Sequence, residues 1–129
     1  MIELSVAVIF VMVLLFVGLN VFEDVKVKNR DNRRVSDIKE LQKGLELYRT
    51  TTSRFPISSQ QVAVDGTDIV SKTLIGERIF STIPTDPLHP QYAYEYQSDA
   101  DGTAYVLIFC QETDSNPSYK QGCENFARP

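Results

Sequence analysis

The sequence predicts an α+β fold: a long N-terminal helix, apolar in its first half, with a small antiparallel β-sheet head packed on its second half. Three observations predict it. Leu4–Phe22 contains no charged residue. Val35, Ile38, Leu41, Leu45 and Tyr48 then recur at spacings of three and four, the period of one helix face. Farther on, Gln91–Gln97 and Thr103–Cys110 alternate in the strand period about a turn at Ser98–Gly102.

The 19 residues of Leu4–Phe22 would rise about 28 Å as a helix, close to the thickness of a bilayer's hydrocarbon. A cleaved signal peptide would need a basic start, a shorter apolar core and a small-residue cleavage site, none of which is present. The run therefore reads as a retained membrane helix. Lys26, Lys28, Arg30, Arg33 and Arg34 all follow it, which by the positive-inside rule would place the rest of the chain in the cytoplasm. A basic leader removed ahead of Met1 would reconcile this with an extracytoplasmic head. Glu3, at the edge of the span, is either snorkelling to the interface or functional, since a carboxylate there costs free energy unless paired or hydrated.

Neither Pro nor Gly interrupts the chain between Glu23 and Gly44, so one helix is expected from about Ile2 to about Arg49, roughly 70 Å long. Opposite charges at helical spacing, such as Glu40 with Lys43 and Glu46 with Arg49, line its other faces. The alternating charges of Lys26–Arg34 read as solvated surface or pairing between subunits, ahead of contact with lipid headgroups or DNA. Thr50–Pro56 ends the helix, 57–68 reads as irregular, Ile69–Phe80 as a short helix or turn, and Pro84, Pro87 and Pro90 as an extended connection. Residues 111–129 read as loop. The division is thus 1–24, inserting into the membrane or a filament core, and 25–129, the extracytoplasmic head with the second half of the helix.

Composition narrows the function. The chain of 129 residues fits one small domain. Residues 51–129 hold 5 Lys/Arg against 10 Asp/Glu, so no nucleic-acid partner is expected. No glycine-rich phosphate loop, nucleophile elbow or metal cluster marks an enzyme, no cofactor is implied, and the lone His89 reads as a loop residue between Leu88 and Pro90. Asp99 and Asp101, with Asp114, are weak calcium candidates that read better as solvated carboxylates. Cys110 and Cys123 read as a disulfide if the head lies outside the cytoplasm, and otherwise as two reduced thiols in a core.

Met1-Ile2-Glu3-Leu4 with the apolar run, Ser36-Asp37-Ile38 with Leu41, Leu45, Glu46 and Tyr48, Arg54-Phe55-Pro56, and Ile83-Pro84-Thr85-Asp86-Pro87 before Tyr94 and Tyr96 resemble type IV pilins and, more closely, the major pseudopilins of type II secretion. The resemblance covers most of the chain. It implies a subunit that a prepilin peptidase processes and methylates, that is held in the bilayer, and that assembly machinery builds into a helical polymer of identical copies. It also implies that Glu3 meets the N-terminal amine of Met1 on a neighbouring copy, an attraction of roughly 4 kcal/mol at 4 Å and an effective dielectric near 20. Gly18 and Asn20 occupy the depth at which family members lose helix in filaments. The calcium-binding C-terminal loop of major pseudopilins is not recognisable in 111–129, and a C-terminal cysteine pair is similar to that of pilins. The expectation is therefore the major pilin of a type IV pilus-like filament, with a type II major pseudopilin or a membrane-anchored binding module as alternatives.

Overall fold

The computed structural model describes the backbone of residues 2–129 and the side chains of residues 5–16 and 22–129. Its first element is the long helix α1, Ile2–Thr52. The helix outlasts the expected end near Arg49 because the threonines that follow saturate its last carbonyls. Thr50 Oγ1 donates to the Leu47 carbonyl, and the Thr51 and Thr52 hydroxyls both donate to that of Tyr48. Ser53, with φ 63°, then turns the chain away.

A two-residue strand β1, Val62–Ala63, lies in the segment expected to be irregular. Its pairing with the next strand creates it, since two residues carry no pattern of their own. The short helix α2, Ile69–Gly76, is capped by Asp68, whose Oδ1 accepts from Ser71 N at 2.9 Å. The proline segment is extended only to Asp86. It then turns, with Leu88 N donating to Asp86 Oδ1 at 2.8 Å and His89 N to the Asp86 carbonyl at 3.0 Å. Strands β2, Glu95–Ser98, and β3, Tyr105–Gln111, form the expected hairpin, β2 starting later than its tyrosine alternation suggests because this turn takes up the chain to Gln91. At its tip Gly102 has φ 69°, and a Cβ there would lie 2.7 Å from the Phe55 carbonyl.

The last strand, β4, Gly122–Ala127, replaces the expected C-terminal loop. It joins an antiparallel sheet of order β1-β2-β3-β4. Its inward positions are only Asn125 and Ala127, so no hydrophobic alternation announced it.

The core is the inner face of this sheet on the second half of α1. Ile38, Leu41 and Leu45 are buried against Phe55, Leu74, Tyr94, Tyr96, Tyr105, Leu107 and Phe109. The two central tyrosines also bring polar ends to partners: Tyr94 Oη donates to Asp37 Oδ2 at 2.8 Å, and Tyr96 Oη to the Pro56 carbonyl at 2.7 Å. Gly44 lets the chain after α2 lie against α1, because a Cβ there would come within 2.1 Å of the Phe80 ring.

Candidate functional site

Two surfaces of α1 bear on function, and they differ in kind. In the first half, Val6 and Val8–Leu15 are 47–64% exposed, and Phe22 and Val25 are also open. The helix is apolar around its circumference there, as a helix surrounded by other apolar matter should be. Among the described residues no helix is long and apolar enough to cross a membrane. The span expected over Leu4–Phe22 includes positions 4 and 17–21, whose side chains lie outside them. Met1, the side chains of Glu3 and Asn20, and the surroundings of Gly18 (the expected assembly pair and melting segment) lie outside what is described too.

The second surface is the joint where α1 first meets the head. Arg34 is 0% exposed. Its Nε and Nη2 donate to Asp86 Oδ2 and Oδ1 at 2.7 and 3.1 Å, and its Nη1 donates to Asp31 Oδ1 at 2.8 Å and Glu112 Oε1 at 2.6 Å. Arg30 grips the same Glu112 with Nε at 2.7 Å and Nη2 at 2.6 Å. Asp31, itself buried, accepts from the amides of Glu112 and Thr113 at 2.8 and 2.9 Å and from Thr113 Oγ1 at 2.8 Å. One turn of α1 thus binds the proline segment and the chain after β3.

Burial alone would lower the Arg34 pKa. Its hydrogen bonds to Asp86 and Glu112 outweigh burial and raise it above the ordinary arginine value. The Arg30 guanidinium, then Arg34, holds the Glu112 carboxyl down at about 2. Removing one member of such a buried set leaves an uncompensated charge, at a cost of about 3–5 kcal/mol.

This corrects the reading of Lys26–Arg34 as uniformly outward-facing. Lys26 does face solvent, paired with Glu23 at 3.0 Å, and Arg33 reaches Asp37 at 3.7 Å. Arg30 and Arg34 turn inward. The missed signal was positional: Asp31 and Arg34 extend the stripe of Ile38, Leu41 and Leu45 by about two further turns toward the N-terminus.

Cys110 and Cys123 form the disulfide, linking β3 to β4 and closing the loop that starts with Glu112. Asp99 is engaged within its hairpin, its carboxylate accepting from Thr103 N at 2.7 Å and from the Thr103 hydroxyl. Asp101 is exposed, and Asp114 Oδ1 accepts from Gln121 N at 2.6 Å. His89 is an exposed residue of the proline turn.

Comparison with known proteins agrees with this architecture. The model of the family described as type II secretion system (T2SS), protein G, matches residues 20–122, from the end of the apolar run to the first residue of β4. No curated protein and no solved structure gives a match. The family's members are structural pseudopilins, and with most of its length matched this chain belongs to the type II secretion system protein G family.

Proposed function

We propose that the chain is the major pseudopilin of a type II secretion system: the repeating subunit of a helical homopolymer, drawn from a pool anchored in the inner membrane and extending into the periplasm. This reverses the order in which the sequence ranked its two filament readings. The absence of a recognisable calcium loop had favoured the pilus, whereas the family match supports secretion. The observation that carries the assembly reading is the open apolar surface of Val6 and Val8–Leu15. Exposed apolar surface on this scale is stable only when lipid or neighbouring copies cover it. Residues 1–24 exchange one cover for the other, and residues 25–129 form the outer surface. A contact between copies related by a screw axis does not close and so propagates as a fibre.

In this reading Glu3 pairs with the Met1 amine of the adjacent copy. Producing the protein with the remaining secretion components, with native or Glu3→Ala subunits, tests it. The native subunit should restore release of secreted enzymes to a strain lacking it. The variant should remain in the membrane fraction while release falls at least about tenfold, the factor for 1.4 kcal/mol of lost assembly free energy. Release at the native level from Glu3→Ala cells would remove Glu3 from the mechanism.

Packing in the polymer also asks each helix to adjust, and Gly18 and Asn20 place two poor helix formers close together. The helix is expected to stretch within Leu15–Val21 on assembly. A filament map with unbroken i to i−4 hydrogen bonds across Leu14–Phe22 would contradict this.

A further inference from the structure

The resemblance to major pseudopilins implies a calcium ion in the C-terminal loop, and the donor set of this chain does not fit one. Calcium takes six to eight oxygen ligands at about 2.3–2.6 Å, usually with several carboxylates free to point at it. Glu112, Asp31 and Asp86 bring six carboxylate oxygens to the joint between loop and spine, and every one of them already faces a donor. Glu112 Oε1 accepts from Arg30 and Arg34, and its Oε2 from Arg30. Asp31 Oδ1 accepts from Arg34 and the Glu112 amide, and its Oδ2 from the Thr113 amide and hydroxyl. Asp86 Oδ1 accepts from Arg34 and the Leu88 amide, and its Oδ2 from Arg34.

The loop's own Asp114 accepts from Gln121 N. Gln111 Oε1 is a buried acceptor without a partner among the described residues, but one neutral amide oxygen supplies neither the charge nor the number of ligands. Among the described residues no three His, Cys, Asp or Glu side chains group as metal ligands.

We infer that two guanidinium groups do in this chain what a divalent cation would do: Arg34 and Arg30 supply the positive charge that folds the loop after β3 and docks it on α1, so that the head is stable without calcium. The charge count supports it. Two cations stand against three carboxylates, and the backbone amides of Leu88, Glu112 and Thr113 take up the remainder as oriented dipoles. The Cys110–Cys123 bridge closes the same loop from its other end, so neither end depends on a diffusible ligand.

The test is thermal unfolding of the full chain in detergent micelles, in millimolar calcium chloride and in excess chelator at matched ionic strength, with hydrogen exchange of residues 112–121 read by mass spectrometry. The midpoint is expected to be the same in both buffers, and exchange equally slow. Calcium at a hundredfold excess over its dissociation constant would raise the midpoint by roughly 10 °C, and such a rise overturns the inference.

Arg34→Gln should lower the midpoint by about 10 °C or more, or prevent folding altogether. Arg30→Gln, at a half-exposed position, keeps the test decisive in that case. It should lower the midpoint equally in both buffers and speed exchange of the loop. If calcium restores Arg30→Gln, or if that variant matches the parent in midpoint and exchange, the guanidinium groups do not have this role.

Discussion

The two halves of α1 share one backbone geometry and almost nothing else. From Val6 to Leu15 the side chains are apolar on every face and stay open. From Asp31 to Leu45 they are sorted, with the buried stripe of Ile38, Leu41 and Leu45 on one side and charge on the others. A helix with a single apolar stripe has its partner within the chain, whereas one apolar all round must find its partner outside. The changeover falls at Glu23–Arg34, where the charged residues begin and Arg30 and Arg34 form ion pairs with the head. In the proposed assembly, stability of the head and growth of the polymer fall to different stretches of the same element, so the two should be separately perturbable.

The sharpest way to break this comparison is a pair of matched truncations. Leu41→Ala removes a fully buried side chain and should destabilise the head by about 2–5 kcal/mol in urea unfolding. Leu14→Ala, on the open half, should change head stability by less than about 0.5 kcal/mol while reducing polymer recovered from cells. Equal losses of head stability would mean that the halves are not separate.

The ionic joint should show itself in the pH dependence. The Glu112 carboxyl sits at about 2 in the folded chain against a reference of 4.5. Its folded-state pKa is depressed, so the unfolded chain binds the proton more readily, and stability rises with pH between the two values. The contribution is fully present above about pH 4.5 and lost as pH falls toward 2, amounting to about 3 kcal/mol. Asp37, raised by burial despite its bond from Tyr94, works in the opposite direction and softens the slope. Urea midpoints at several pH values should fall across this window for the native chain and fall less for Glu112→Gln.

A smaller effect tests the close approach on the covered half. Gly44→Ala puts a methyl group into the Phe80 ring and should cost about 1–3 kcal/mol, despite the higher helix propensity of alanine. An alanine variant more stable than the parent would show that Phe80 swings aside freely.

What could be read from the sequence was whatever repeats at short range. The stripe on α1, the cap-rich end at Thr50–Ser53 and the hairpin at Gly102 all have local signals, and all appear in the structure. β4 was not legible because its inward residues are Asn125 and Ala127, and its place depends on pairing with β3 and on the bridge from Cys123 to Cys110. β1 depends likewise on β2, meeting it at Val62 opposite Tyr96. The buried joint was missed for a different reason. Arg30, Asp31 and Arg34 have the composition of a solvated helix face, and their partners Asp86 and Glu112 lie more than 50 positions away. Charge at a stripe position was the one available clue, and it makes sense only once long-range partners are known.

Mechanically, Arg34 is a shear pin. It is clasped by Asp31 from its own helix and by Asp86 and Glu112 from the head, at 2.6–3.1 Å. A slide of the head along α1 by a single residue's rise, about 1.5 Å, would lengthen or bend its bonds to Asp86 and Glu112 together. The apolar contacts beside it are non-directional and would tolerate the same slide with partial loss. A load applied along the spine is therefore met at this joint by directional bonds, and resistance to sliding is steeper there than in the apolar core beside it.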